Sequence, residues 1–154
     1  MLPATTSRVT EQTPEYVNQR IRRATDARVA RYAARGPHAI QRRLKELDHE
    51  WDMERSLEAN AAAISLLGIG LGAWSDRRWF VLPAVVSFFL LQHALQGWCP
   101  PVSLFRRLGV RTSTEIDHER YALKALRGDF AGTAMPQAGD GTIVKKTLDA
   151  VRAR

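Results

Sequence analysis

Two stretches in the middle of the chain are apolar on all sides. From Ala59 to Ser75 the sequence reads ANAAAISLLGIGLGAWS, with no Asp, Glu, Lys or Arg, and from Trp79 to Phe105 these four are absent again. A surface helix of a globular protein shows an apolar stripe and a polar face, whereas a helix that is apolar all round is surrounded by apolar material. The first stretch has 17 residues, about 25 Å of helix at the standard rise against a hydrocarbon core of roughly 30 Å. Leu57 and a snorkelling Arg55 extend it at one end, and Trp74 suits the interface at the other. The second, Trp79–Trp98, carries Trp at both ends, and Pro83 falls in its first turn, where a missing N–H is tolerated. Ser75-Asp76-Arg77-Arg78 is a short polar link. The pattern predicts a transmembrane helical hairpin over 59–98, with spans 59–75 and 79–98. Trp74, Trp79, Trp98, Cys99 and Pro100 are expected at the membrane interface.

Outside these stretches the periodicity is helical and polar, so the expected fold is all-α, with amphipathic cytoplasmic helical arms. Residues 1–36 form a basic N-terminal arm. Thr13-Pro14 opens a helix that places Val17, Ile21 and Ala24 on one side, and Gly36-Pro37 breaks it. Residues 37–58 read as a charged helix running through Leu44, Leu47, Trp51 and Leu57 into the first span. Residues 99–130 hold a short interfacial helix stopped by Gly109. A second helix there is opened by Thr112-Ser113-Thr114-Glu115, which has capping-box spacing, and it gathers Ile116, Ala122, Leu123 and Leu126. Residues 131–154 comprise linker and a final helix near 142–152.

Charge sharpens the picture. The chain has 154 residues, a net charge of +7 and a pI near 10.3, and basic residues bracket the apolar centre. Anionic lipid headgroups account for this better than nucleic acid, because no aromatic-interleaved basic motif is present. Arg42, Arg43, Arg106 and Arg107 are expected to bind headgroups or a partner. The basic residues flanking the spans outnumber Arg77 and Arg78 of the link, which places both termini in the cytoplasm. A buried pair of helices in a soluble bundle is the competing reading. The rest of the chain holds too little apolar material to wrap them. The N-terminus lacks the apolar core of a signal peptide. The single cysteine excludes an internal disulfide and a four-cysteine zinc site.

Ala61, Ser65, Gly68 and Gly72 share one face of the first span. Small residues on such a face let two helices approach closely in lipid. The glycines of Gly68-Ile69-Gly70-Leu71-Gly72 follow no strand, so they do not read as a phosphate loop. Glu46-Leu47-Asp48-His49-Glu50 is echoed by Glu115-Ile116-Asp117-His118-Glu119. Each contains Glu-x-x-His, the element from which ferritin-like bundles build a di-metal site. His93 stands inside the second span, where a neutral imidazole bonded to backbone or to a partner helix is expected.

From about Leu44 to Phe130 the chain resembles the YgaP-like inner-membrane hairpin family. The resemblance rests on Arg55, the Gly-rich first span, the short link, the Gly97-Trp98-Cys99-Pro100 turn and the following Leu104-Phe105-Arg106-Arg107-Leu108-Gly109. It implies a two-span bacterial inner-membrane protein of the stand-alone kind. The rhodanese domain fused to some members has no counterpart here. The expected role is therefore non-enzymatic: a scaffold, anchor or accessory subunit in contact with anionic lipid and with other membrane subunits or a second copy. No cofactor and no nucleic acid are expected. A membrane-bound di-metal enzyme is the alternative.

Overall fold

The structure, a computed structural model, describes residues 4–131 together with Lys145, Leu148, Asp149 and Val151. Among these residues there is helix and no strand. The elements are α1 (Arg8–Glu11), α2 (Glu15–Ala34), α3 (Pro37–His49), α4 (Met53–Trp74), a 3₁₀ turn (Arg77–Phe80), α5 (Val81–Gln96), α6 (Pro100–Leu108) and α7 (Ser113–Arg127). Two helical segments, one ending at Trp74 and one at Gln96, are long and apolar enough to cross a membrane. Most of the expected linker and of the helix near 142–152 lies outside the described residues.

The chain forms two compact units, Met1–Arg22 with Trp51–Glu115 and Arg23–Glu50 with Ile116–Arg154. In the first, α4 starts where the Asp52 side chain accepts from the Arg55 N–H at 2.9 Å, which satisfies one of the orphan donors of a helix N-terminus. The helix expected to run unbroken from Pro37 into the first span is therefore interrupted. Glu50 is extended, and the Met53 N–H bonds the Arg111 carbonyl at 2.8 Å instead of continuing α3. In the link, Asp76 accepts from the Arg78 N–H at 2.9 Å and opens the 3₁₀ turn. Gly97 ends α5 in the left-handed conformation, with φ 76°. Only glycine fits there, because a Cβ would also lie 2.6 Å from the Arg8 carbonyl oxygen. Pro100 and Pro101 start α6, where their missing N–H groups cost nothing, and Gly109 closes it at φ 91°.

The core of this unit gathers Val9, Met53, Leu57, Cys99 and Val102, with Phe89, Phe105 and Val110 against it. It sits at the end of the α4–α5 pair where α1 and α6 join. Farther along the pair there is no comparable core. Close contact is made through Gly68, where a Cβ would stand 2.7 Å from Pro83 Cδ, and through Gly72, where it would meet the Phe80 ring at 3.0 Å.

The second unit is built conventionally. Ile40, Leu44 and Leu47 fall at i, i+4 and i+7 of α3 and pack on Ile116 and Leu123 of α7, with Val29 and Tyr32 of α2 alongside. The α2 stripe departs from expectation. Val17, Ile21 and Thr25 are buried while Ala24 is exposed, so the spacing is every fourth residue. Val17 and Ile21 are covered by the protein itself and are not free to lie on a membrane surface.

Candidate functional site

The largest chemical feature is a surface. Leu66, Leu67, Ile69, Val81, Val85, Phe88, Leu91 and Leu95 are all exposed, Leu66 at 69% and Phe88 at 63%. The two apolar helices therefore hide their small residues and show their large ones. Gly68 and Gly72 are buried, and Ala61 and Ser65 are half-buried on the same side of α4. Close approach across glycine gains many weak dispersion contacts. In water, an outer face of this kind would leave a large apolar area hydrated at about 25 cal/mol per Å². Trp74 is 95% exposed beside the polar link, and Trp79, Trp98 and Pro100 are exposed near the two ends of α5. Leu104 and Leu108 of α6 are exposed together with Arg107, the composition of an interfacial helix.

The four arginines expected to meet headgroups divide. Arg42 and Arg107 are exposed. Arg106 does not serve that role, because it is 1% exposed and spends its donors inside the protein. It donates to both Glu115 carboxylate oxygens at 2.6 and 2.8 Å, to Asn18 Oδ1 at 2.9 Å, to Thr13 Oγ1 at 3.2 Å and to the Val110 carbonyl at 3.1 Å. Burial pushes the Glu115 carboxyl up, but the Arg106 guanidinium and the Thr112 N–H outweigh this and hold it below the usual carboxylate range. Glu115 also completes the capping box of α7, since the Thr112 N–H donates to it at 2.9 Å and the Glu115 N–H donates back to Thr112 Oγ1 at 3.3 Å. Arg43 is likewise committed, to Glu119 at 2.8 Å, Glu50 at 3.1 Å and Glu46 at 3.2 Å.

These pairs also account for the two Glu-x-x-His motifs. Glu46 and Glu119 are held by Arg43, Glu115 by Arg106, and Asp48 and Asp117 by Arg120, while His49 and His118 are exposed. Among the described residues no group of three or more His, Cys, Asp or Glu side chains is arranged to hold a metal ion.

A second feature is a buried polar junction where α1, α4 and α5 meet. His93 is 4% exposed, and its Nε2 lies 3.1 Å from Glu54 Oε2. Arg8 donates to Glu54 Oε1 at 3.1 Å and to the Ala94 carbonyl at 3.0 Å. The ring is thus bonded to a carboxylate of the other helix rather than to backbone. His93 Nδ1 and Arg8 Nε are buried without hydrogen-bond partners. Cys99, expected at the interface, is buried at 2% exposure.

Two cavities flank this junction. A polar one of about 160 Å³ is lined by Arg8 and Glu54 with Thr5, Thr6, Thr112 and Thr114. An apolar one of about 80 Å³ is lined by Cys99, Leu57, Ala61, Ile64, Val86 and Phe89. Arg8 gives no sequence signal, since it is 46 residues from Glu54 and stands in a polar segment. His93 does give one, as an imidazole within an apolar span. No family model, curated protein or solved structure matches the chain.

Proposed function

We propose that this chain is a two-span integral protein of the bacterial inner membrane, with α4 and α5 crossing as a hairpin and both termini in the cytoplasm. It acts as an anchor or accessory subunit rather than an enzyme. The observation that carries this reading is the inverted α4–α5 pair, with glycine between the helices and leucine, valine and phenylalanine outside. A bilayer is the solvent in which that arrangement costs least. Exposed Trp74 and Trp79 mark one interface, and Trp98 with the Leu104/Leu108 edge of α6 marks the other. Of Arg42, Arg43, Arg106 and Arg107, the exposed Arg42 and Arg107 are available to anionic headgroups or to an acidic subunit. The resemblance of the Gly97-Trp98-Cys99-Pro100 turn to YgaP-like hairpins supports the same reading. Partners would be other membrane subunits or a second copy.

The test is topology. In a Cys99→Ser background, Arg77→Cys should react with a membrane-impermeant maleimide added outside intact spheroplasts, whereas Arg42→Cys should react only after lysis. Labelling of Arg42→Cys from outside overturns the orientation, and extraction of the protein by alkaline carbonate overturns membrane insertion itself.

A further inference from the structure

The polar cavity of about 160 Å³ lies wholly within the first unit, and nothing in the anchoring role uses it. It has room for roughly five waters at about 30 Å³ each, the size of a small polar group. One cation and one carboxylate, Arg8 and Glu54, line it together with Thr5, Thr6 and Thr114. Arg8 is fixed before any ligand arrives. Its backbone is packed on Gly97, where a Cβ would lie 2.6 Å from the Arg8 carbonyl oxygen. Its guanidinium donates to the Ala94 carbonyl at 3.0 Å and to Glu54 Oε1 at 3.1 Å. A guanidinium has more N–H groups than these two contacts use, and Nε is buried without a hydrogen-bond partner. Glu54 also meets His93 Nε2 through Oε2 at 3.1 Å, yet each carboxylate oxygen has a second lone pair to offer. Both side chains stay reachable, Arg8 at 20% and Glu54 at 41% exposure.

A cation and a carboxylate side by side suit a ligand that carries both signs of charge. A phosphate alone would be repelled by Glu54, and an ammonium alone by Arg8. A zwitterion satisfies both, with its anionic oxygens on the guanidinium and the threonine hydroxyls and its ammonium on the carboxylate. Depth decides its source. Glu54 stands five residues before Ala59, where the uncharged stretch begins. That is about 7–8 Å of helix, against a headgroup layer of about 5–8 Å on each side of the hydrocarbon. Beside it Trp51 is 51% exposed and carries the Arg55 guanidinium over its ring at 4.5 Å, an amphipathic pair suited to the same layer.

We propose that the Arg8–Glu54 cavity binds the phosphoethanolamine headgroup of a phospholipid, with Arg8 and the threonine hydroxyls on the phosphate and Glu54 on the ammonium. The acyl chains stay in the bilayer against the exposed apolar face of α4 and α5. Phosphatidylcholine has the same net charge, but its methylated nitrogen has no N–H to donate to Glu54. Phosphatidylglycerol keeps the phosphate and brings no cation to the carboxylate. The cavity is therefore selective for a zwitterion that can donate, in contrast to the exposed Arg42 and Arg107, which meet any anionic lipid. That the ligand is a lipid rests on the membrane reading above.

The experiment titrates the full chain in detergent with dioleoyl phosphatidylethanolamine, phosphatidylcholine or phosphatidylglycerol and counts bound lipid by native mass spectrometry. Wild type should bind phosphatidylethanolamine at least about tenfold more tightly than either of the others, the worth of one charge-assisted hydrogen bond. Arg8→Gln should weaken all three. Glu54→Gln should reverse the preference toward phosphatidylglycerol, a change that a merely structural role for Glu54 would not produce. Thr6→Trp keeps both charges and fills the mouth of the cavity, so it should lose phosphatidylethanolamine binding while remaining folded. Free glycerophosphoethanolamine should compete at the same site only at concentrations at least about a hundredfold higher, since it has no chains to bury. Helical content and resistance to alkaline extraction are read on each variant, so a protein that does not insert is seen separately from an inserted one that does not select. The proposal is overturned if inserted wild type binds the three lipids within about twofold of one another, or if Glu54→Gln or Thr6→Trp keeps the wild-type preference. Free glycerophosphoethanolamine binding as tightly as the lipid would assign the cavity to a water-soluble ligand and equally overturn it.

Discussion

α5 and α3 pack opposite faces of similar residues. In α3, Ile40, Leu44 and Leu47 are buried, while Arg42, Lys45, Glu46 and Asp48 face outward. In α5, Phe88, Leu91 and Leu95 face outward, and the one fully buried residue is His93. α4 repeats the inversion with Gly68 and Gly72 inside and Leu66 and Leu67 outside. The propensity of leucine for helix is the same in both places. What differs is the surrounding solvent that each face suits, water for α3 and, in the membrane reading proposed above, hydrocarbon for α4 and α5. Charge follows the same division. The α3–α7 core contains a fully buried carboxylate, Glu119, reached by Arg28 at 3.2 Å and Arg43 at 2.8 Å.

The contrast can be broken most severely at that carboxylate. Glu119→Ala leaves Arg28 and Arg43 without their shared partner and should destabilise the α3–α7 core by about 3–5 kcal/mol, read as loss of the cooperative thermal transition in detergent. Leu44→Ala, a plain truncation in the same core, should cost about 2–4 kcal/mol.

Overpacking is the corresponding injury to the α4–α5 pair. At Gly68 even a Cβ stands 2.7 Å from Pro83 Cδ. Gly68→Leu should therefore lower stability by about 1–3 kcal/mol while leaving membrane insertion intact, since leucine favours hydrocarbon. A Gly68→Leu variant that melts and migrates like wild type would remove the close contact from the account.

Neither apolar stretch has a carboxylate between Ala59 and Ser75 or between Trp79 and Gln96, so acid should act at the paired carboxylates outside them, Glu54 and Glu115 among them. The folded pKa of Glu115 lies below its ordinary value because Arg106 and the Thr112 N–H overcome burial. Its contribution is thus fully present above the unfolded value, near about 4.3, and is lost as pH falls through the lower folded one. Glu115→Gln should flatten the stability curve across that window, as followed by circular dichroism. The smallest effect is expected on the outer face, where Leu67→Ala should change detergent melting by less than about 0.5 kcal/mol. A soluble bundle that buried Leu67 would lose several times more.

Much of this was legible in the chain, for identifiable reasons. The all-helical class, the two apolar helices and the stop at Gly109 rest on local signals: missing charge, turn residues and period, whereas the end of α5 at Gln96, capped by Gly97, falls two residues before the Trp98 expected to close the span. The break at Glu50–Asp52 was missed because the apolar residues keep helical spacing across it, and only the Asp52 cap marks the restart. Arg106 was misassigned as a surface cation, although it sits four residues after Val102 on the buried face of α6. Glu119 carried a similar signal, lying at i+3 from Ile116 and four residues before Leu123. A charge within an apolar stripe is what a buried ion pair looks like in sequence, but its partners cannot be read there. Glu119 meets Arg28 across 91 residues and Glu54 meets His93 across 39. Such contacts depend on tertiary packing, for which local spacing contains no information.

The inversion of α4 and α5 is tested most directly by measuring what surrounds their outer residues. In a Cys99→Ser background, single nitroxide labels at Leu67→Cys and Phe88→Cys would be placed in nanodiscs beside one at the exposed Lys45→Cys of α3. Collisional relaxation by oxygen and by a water-soluble nickel chelate then reports the solvent of each site. A membrane-spanning pair predicts labels at 67 and 88 that oxygen reaches and nickel does not, with the reverse at 45. Nickel access at 67 and 88 equal to that at 45 would place both helices in water and contradict the membrane assignment.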